Sequence, residues 1–220
     1  MLLLGLDTAT AVTTVALARS APSMGSDVLA ERSHLDPRRH GEVLPVQIDE
    51  VLRQAEVTAG DVDAVAVGIG PGAFTGLRVG LATARALGLA LDIPVYGVST
   101  LDVIAYATGR DADFAVVTDA RRREYFWATY SQCDVQFSDP AVGTPAEARE
   151  ALRHLPVLGP PGTPSIDDLE IVHTDHPSGA ALCQLVIARL QRGQPLEMPA
   201  PLYLRRPDVT LSSGPKSVLS

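Results

Sequence analysis

The sequence predicts an α/β protein of two lobes, each built on a mixed β-sheet flanked by helices. Two observations support this prediction. Apolar residues recur with strand and helix periods in the order strand, strand, strand, helix, strand, helix, strand. The second half then begins like the first, because an apolar run at residues 114–117 ends in Thr-Asp-Ala, much as the run at residues 2–6 ends in Asp-Thr-Ala. The element order therefore indicates an internal duplication.

The first lobe is expected at residues 1–108, and it opens on a continuous apolar run that is typical of a strand buried on both faces. Its first helix has one apolar face, and Val43 and Val46 lie well off that face. A helix with two apolar sides is either wedged in the core or shared with a partner. The predicted elements are strands at 2–6, 12–17 and 28–33, a helix at 40–55, a strand at 62–67, a helix at 77–91 and a strand at 94–98.

The second lobe is expected at residues 109–206, followed by a flexible tail at 207–220. It should be smaller and richer in loops, because 12 of the 17 prolines follow Ser138. Thr144, with Glu147 three residues later, predicts a capped helix start. The predicted elements are strands at 114–117 and 124–130, a helix at 144–155, short strands at 156–159 and 171–174 and a helix at 178–192.

Composition excludes several classes of protein. A net charge of −8 argues against binding of nucleic acid or a membrane surface by this chain alone. The arginine clusters at 38–39, 121–123 and 205–206 stay open as local contacts, although a solvated face is the commoner role of such clusters. Two cysteines fit a reduced cytosol, and Asp7 interrupts the first apolar run, unlike a signal peptide. We expect a cytoplasmic protein with no apolar stretch of membrane-spanning length.

The glycine-rich segment at residues 64–80 predicts a strand, a tight turn and a helix start, which together can bind an anion. It is not a Walker-type loop, because Gly70 and Gly76 are separated by five residues and Leu77 stands where a lysine is needed. The only lysine is Lys216. A dinucleotide fingerprint is also disfavoured, because Pro71 removes a donor from the turn and the next strand ends without an acidic residue.

Five segments resemble the bacterial TsaB (YeaZ-type) family in content, order and spacing. They are Leu4-Gly-Leu-Asp-Thr-Ala-Thr10, His40-Gly-Glu-Val-Leu-Pro45, Gly70-Pro-Gly-Ala-Phe-Thr-Gly-Leu-Arg-Val-Gly80, Gly97-Val-Ser-Thr-Leu101 and Asp119-Ala-Arg-Arg-Arg-Glu-Tyr-Phe-Trp127. The match covers most of residues 1–131, with a weaker echo at 201–205. The resemblance implies the duplicated actin/hexokinase-like (ribonuclease H-like) fold, in agreement with the duplication that the element order indicates.

The same resemblance implies a function in tRNA modification. The expected role is that of a non-catalytic scaffold subunit in the complex that forms N6-threonylcarbamoyladenosine at position 37 of tRNAs reading ANN codons. The implied partners are a catalytic, metal-binding TsaD-like subunit and a TsaE-like ATPase, with tRNA reached through the complex. Two alternatives stay open, an actin-like-fold ATPase or small-molecule kinase acting alone, and a glycoprotease-like peptidase.

In actin-like ATPases each lobe offers an acid followed by small residues that hold phosphates and metal. The matching positions form a candidate nucleotide-binding remnant of Asp7, Thr8, Thr10, Gly70, Gly72, Thr75, Gly76 and Asp119. Bulky Arg121 stands where glycine would admit a phosphate, and prolines at 160–161 disfavour an adenosine site. We expect no cofactor of its own, with ATP or ADP bound weakly or at a shared interface. Alternatively, Asp7 and Asp119 cap strand ends and bond nearby amides.

No catalytic or metal-binding residues are predicted. The His-x3-His metal pair of the catalytic partner family falls at Thr100 and Ile104 when the glycine turns are matched, and these cannot replace two imidazoles. His173 and His176 are close in sequence, but without a third ligand they fit a surface loop better than a zinc site. Ser99 has no nearby His-Asp set for peptidase chemistry.

The predicted partner interface lies on the helices that flank the glycine turn. Gly80, Ala84 and Gly88 recur every four residues, which would let a partner helix approach closely. The full predicted interface is His40, Leu44, Ile48, Val51, Arg78, Gly80, Ala84 and Gly88. We expect a helical bundle with the TsaD-like subunit, or a homodimer in its absence. The alternative is that the small residues pack on their own sheet.

Overall fold

The first half of the chain forms a five-stranded sheet with its helices. The computed structural model describes residues 1–21 and 25–205, so the predicted tail lies outside the described residues. Its first half contains β1 Leu2–Asp7, β2 Val12–Ala21, β3 Gly25–Leu35, α1 His40–Gln54, β4 Ala64–Gly68, α2 Phe74–Leu91, β5 Val95–Val98 and α3 Thr100–Ala107. The strand order is β3-β2-β1-β4-β5, antiparallel on the β1–β2–β3 side and parallel from β1 through β4 to β5.

The second sheet repeats this plan. Its elements are β6 Phe114–Arg121, β7 Glu124–Gln132, β8 Val135–Gln136, β9 Ala141–Gly143, α4 Pro145–Leu152, β10 Val157–Gly159, β11 Ile171–His173 and α5 Gly179–Gln191. The strand order β11-β10-β6-β7-β8 places an antiparallel hairpin and two parallel neighbours around β6, as in the first sheet around β1. The predicted duplication and fold class are confirmed.

One α-helix and two short strands escaped the sequence analysis for physical reasons. Helix α3 is buried on nearly every side, including Leu101, Val103, Ile104 and Ala105, so it shows no amphipathic period. Strands β8 and β9 have two and three residues, and only their pairing with β7 defines them. The predicted cap of α4 is confirmed, because the Thr144 hydroxyl accepts from the Glu147 amide and the Glu147 carboxylate accepts in return.

Helices α3 and α5 lie between the two sheets, and each packs on the sheet formed by the other half of the chain. Helix α5 packs on the first sheet, where a Cβ on Gly5 would lie 2.5 Å from the Cys183 sulfur. Helix α3 instead packs on Phe114, Val116 and Tyr130 of the second sheet. The parts expected at residues 1–108 and 109–206 are therefore not packed separately. Each sheet needs a helix from the other part to bury its inner face.

A buried ion pair joins these exchanged helices. The Asp102 carboxylate of α3 accepts from Arg189 of α5 at 2.7 Å and from the Tyr130 hydroxyl of β7 at 2.9 Å. The Asp102 side chain is 4% exposed and that of Arg189 is 13% exposed. Because removing one member would leave the other charged and buried, this triad holds the two sheets in one arrangement.

Helices α1 and α2 cover the outer face of the first sheet, and α4 covers the second. By length and composition α2 could cross a bilayer, so the expectation that no apolar stretch reaches that length is wrong for this helix. One face of α2 packs on the sheet through Leu77, Leu81 and Ala84. A core helix of a folded domain can pass the same test of length and composition, and 33% of α2 is buried within the protein.

The segment after α5 forms a C-terminal strap, residues 194–205, that returns along the first sheet to the second. Its Glu197 carbonyl accepts from the Gly97 amide at 2.8 Å, and its Leu202 amide donates to the Ile69 carbonyl at 2.9 Å. Arg205 then pairs with Glu124 at the start of β7. The strap thus links the edge of the first sheet to the hairpin of the second.

Candidate functional site: the cleft between the sheets

The glycine-rich turn after β4 packs directly against the turn between β1 and β2. A Cβ on Gly72 would overlap the Ala9 carbonyl, and one on Gly76 would lie 2.5 Å from the Thr8 carbonyl oxygen. Gly70 has φ +93°, a conformation that favours glycine. These glycines therefore admit the β1–β2 turn against the start of α2.

Thr8 is the centre of that contact. Its hydroxyl donates to the Gly76 carbonyl at 2.7 Å and accepts from the Gly80 amide at 3.0 Å. The residue is 1% exposed. Both hydrogen-bonding roles of the hydroxyl are thus used inside the chain, which fastens β1 to the first two turns of α2.

The Asp7 carboxylate likewise makes its hydrogen bonds within the chain. Its carboxylate accepts from the Ala9 amide at 2.7 Å and from the Thr100 hydroxyl at 2.8 Å. Burial raises the pKa of Asp7, and these two hydrogen bonds offset only part of that rise. A Cβ on Gly68 would overlap the carboxylate, so Gly68 makes room for it. This geometry matches the alternative in which Asp7 caps a strand end.

An open cleft of about 520 Å³ lies between the two sheets. Of the predicted nucleotide-binding residues, it is lined by Thr10, Gly72, Thr75, Gly76 and Asp119. Asp7, Thr8 and Gly70 do not line it. The lining also contains residues that the sequence analysis did not select for this site, among them His40, Thr118, Arg121, Phe126 and His176. The duplication offered a signal for His176, because it follows β11 as Ser99 and Thr100 follow β5.

Asp119 is held by its neighbour Arg121. One carboxylate oxygen accepts from the Arg121 amide at 2.7 Å, and the other lies 3.2 Å from the Arg121 guanidinium. The positive charge of Arg121 thus balances the negative charge of Asp119 at the cleft wall. Thr118, beside it, has a buried hydroxyl with no hydrogen-bond partner among the described residues.

The two cleft histidines lie in surroundings that favour the neutral ring. Burial lowers the pKa of both His40 and His176, opposed in each case by a nearby aspartate, Asp36 and Asp175 respectively. One ring nitrogen of His40 shares a hydrogen bond of 2.7 Å with the Thr13 hydroxyl. Within residues 1–21 and 25–205, no three His, Cys, Asp or Glu side chains form a cluster that could hold a metal ion.

Most of the predicted partner interface is buried in the chain's own core, and that part of the prediction is wrong. Ala84 is fully buried, a Cβ on Gly88 would overlap the Val95 side chain, and one on Gly80 would lie 2.5 Å from the Thr8 hydroxyl. His40, Leu44 and Val51 are buried, and Ile48 is partly buried against the core. The spacing of four residues correctly identified a close-packed face, but that face meets the protein's own sheet.

Arg78 alone of the eight predicted interface residues is exposed, on the opposite side of α2. We call this side, together with the exposed side of α1, the α1–α2 outer face. Leu89 is 87% exposed there, Val46 is 55% exposed and Phe74 is 53% exposed. The outer face consists of Pro45, Val46 and Asp49 of α1 and Phe74, Arg78, Ala82, Arg85, Ala86, Leu89 and Ala90 of α2. The second apolar side predicted for α1 is confirmed by Val46.

Comparison with known proteins provides evidence on the family of this chain that is independent of the site geometry. A family model described as TsaD, tRNA N6-adenosine threonylcarbamoyltransferase, matches residues 28–181. An uncharacterized protein of Mycobacterium tuberculosis is 44% identical over 206 residues, 93% of this chain and 92% of its own length. The tRNA threonylcarbamoyladenosine biosynthesis protein TsaB of Escherichia coli is 33% identical over 135 residues, 60% of this chain and 56% of that protein. The solved structure of YeaZ from Pseudomonas aeruginosa has a TM-score of 0.75 and 28% identity, covering 92% of this chain and 99% of that chain.

Proposed function

We propose, on the premise that this chain belongs to the TsaB (YeaZ-type) family of the actin/hexokinase-like superfamily, that it is the non-catalytic scaffold subunit of tRNA threonylcarbamoyladenosine biosynthesis. It would bind and support a TsaD-like catalytic subunit that modifies adenosine 37 of tRNAs reading ANN codons. A TsaD-related partner in this pathway agrees with the match of the family model itself. We place the protein in the cytoplasm with this pathway, without a membrane partner.

The observation that carries a non-catalytic role is that both candidate acids already have partners within the chain. Asp7 is 1% exposed, and its carboxylate accepts from the Ala9 amide and the Thr100 hydroxyl. The Asp119 carboxylate lies 3.2 Å from the Arg121 guanidinium, so a metal-bound nucleotide would have to compete with these partners for both acids. This argues against an ATPase or kinase acting alone. Any ATP or ADP would bind weakly, or at an interface shared with a partner.

The peptidase alternative finds no accessible nucleophile at Ser99, the serine considered in the sequence analysis. Ser99 is 1% exposed, and its hydroxyl has no hydrogen-bond partner among the described residues. A serine nucleophile needs a base within hydrogen-bond reach and access for its substrate. Ser99 meets neither condition.

The α1–α2 outer face is the surface that we assign to the TsaD-like subunit. It presents Val46, Phe74 and Leu89 beside small alanines, so a second pair of helices could approach closely and bury apolar area. A helical bundle across this face replaces the buried interface predicted from the sequence. The same face would serve a homodimer when the partner is absent, and a TsaE-like ATPase would join the assembled pair.

Reconstitution tests the proposed function. The TsaD-like and TsaE-like proteins, unmodified tRNA, ATP, threonine and bicarbonate are combined with an enzyme that makes threonylcarbamoyl-adenylate, with and without this chain. We expect modified adenosine only when the chain is present, and no ATP turnover by the chain alone. Equal modification in its absence would refute the scaffold role.

Two variants test the assigned face. Leu89→Asp places a charge on the α1–α2 outer face, and Phe137→Asp makes the same change at a 65% exposed phenylalanine beside β8. We expect Leu89→Asp to abolish co-purification with the TsaD-like subunit while Phe137→Asp leaves it intact. Loss in both variants, or in neither, would contradict this interface.

A further inference from the structure

The hairpin between β6 and β7 ends in a backbone conformation that its residues do not favour. Arg121 pairs with Glu124 across the hairpin, so Arg122 and Arg123 are the two loop residues. All three arginines have positive φ, at +63°, +55° and +60°. A two-residue loop with positive φ at both positions strongly favours Asn-Gly, and arginine is strained there. Backbone strain of this kind in a short loop indicates that the arginine side chains have a role other than forming the turn.

The arginine tip, residues 121–123, is exposed and firmly held. Asp119 accepts from the Arg121 amide, and Arg205 of the C-terminal strap pairs with Glu124 while reaching the Arg121 carbonyl at 3.5 Å. The backbone of the tip is therefore held at the rim of the cleft, where all three arginines are exposed and the Arg121 guanidinium lies 3.2 Å from the Asp119 carboxylate. Across the cleft, Pro37 lines the opposite rim, and the exposed Arg38 follows it.

Aromatic rings lie beside this tip along the strap. Tyr203, two residues before Arg205, is half exposed and stacks on Phe74 with ring centroids 5.6 Å apart. The Arg78 guanidinium lies 3.7 Å from the centroid of the Phe74 ring. Tyr203 itself lies outside the α1–α2 outer face, and an exposed aromatic ring near guanidinium groups is a surface on which unpaired RNA bases stack, whereas an acidic protein would need only the charges.

We propose that the arginine tip contacts the phosphate backbone of the tRNA substrate in the assembled complex. The inference rests on the proposed function. Guanidinium groups pair with phosphate through two parallel hydrogen bonds, which suits arginine better than lysine. The net charge of −8 repels RNA from the rest of the chain. The contact is therefore local, sensitive to salt, and productive only when the partner subunits hold the tRNA.

The test compares two double variants with equal loss of charge. Arg121→Gln with Arg123→Gly removes two arginines from the tip, and the glycine relieves the strain of the loop. Arg149→Gln with Arg153→Gln removes two exposed arginines at α4 and serves as the control. Each full-length variant is assembled with the TsaD-like subunit and titrated with an unmodified tRNA transcript that reads an ANN codon, from low to moderate salt.

We expect the tip variant to bind this transcript roughly tenfold more weakly than the control. Its plot of log affinity against log salt should be shallower by about 1.4, since each lost single-strand phosphate contact changes the slope by about 0.7. Affinity and slope equal to those of the control would overturn the proposal. Unchanged tRNA binding with loss of a protein subunit would also overturn it and assign the tip to a protein contact. If the wild-type complex itself does not modify tRNA, the proposed function fails, irrespective of the tip.

Discussion

Replacing Gly80 by alanine gives a direct test of which side of α2 faces the protein's own sheet. The new Cβ would lie 2.5 Å from the Thr8 hydroxyl, and Thr8 is a β-branched residue held by two hydrogen bonds. Overpacking of this kind costs about 1–3 kcal/mol. Displacement of the hydroxyl loses about 1 kcal/mol more, and the better helix propensity of alanine returns about 1 kcal/mol.

The expected net loss is about 2 kcal/mol, which in a protein of this size lowers Tm by roughly 4–8 °C. Gly41→Ala is the matched control, because Gly41 lies in α1 and a Cβ added there would have no atom within 4 Å. That change should raise stability by up to about 1 kcal/mol. Thermal and urea unfolding of the two variants should therefore shift in opposite directions.

A double-mutant cycle identifies the contact responsible. Without the Thr8 hydroxyl, the alanine at position 80 has room, so Thr8→Ala combined with Gly80→Ala should cost less than the sum of the single changes by about 1 kcal/mol or more. Additive costs would refute the close contact. If Gly80→Ala were as stable as Gly41→Ala yet lost the TsaD-like subunit, the interface predicted from the sequence would be right and the packing of Gly80 on Thr8 wrong.

Three further predictions concern buried groups. Because burial raises the folded-state pKa of Asp7, stability should fall as pH rises from the unfolded pKa, about 3.9, through the folded value; Asp7→Asn should remove that fall in urea unfolding measured across pH. Asp102→Ala should destabilise the protein by about 3–5 kcal/mol in the same assay, because Arg189 keeps its charge without a partner. Burial raises the pKa of the Cys183 thiol, so iodoacetamide should label half-buried Cys133 and leave Cys183 unlabelled until the protein unfolds, as read by peptide mass spectrometry.

Local sequence patterns predicted the strand that is a continuous apolar run and the helix that has one apolar face. The apolar run of β1 and the spacing of Leu44, Ile48 and Val51 in α1 depend on local sequence alone, and both elements lie where they were expected. Helix α3 lacks a polar side, so its sequence resembles any short apolar run. The exchange of α3 and α5 between sheets is a tertiary arrangement that no local pattern records.

The site was predicted less completely than the fold, because a residue type does not reveal its partner. The sequence placed Asp7, Thr8 and the glycines in one candidate site. In the structure Thr8 bonds to Gly76, but Asp7, Thr8 and Gly70 lie outside the lining of the cleft. Whether a small residue makes room for a ligand or for another part of the chain depends on what lies within a few ångströms of its Cα. At Gly72, Gly76 and Gly80 the neighbour is the β1–β2 turn.

The contact between the β1–β2 turn and α2 also bears on how a scaffold of this fold would work. An actin-like ATPase closes and opens its lobes as the nucleotide between them changes, which requires a cleft that the ligand can reorganise. Here Thr8 fastens β1 to α2, and the Asp102–Arg189 pair fastens the exchanged helices. The outer face of α2 is consequently carried on a helix whose inner face is fixed at the cleft. A partner subunit would dock on a surface that needs little ordering on binding, and this lowers the entropic cost of the complex.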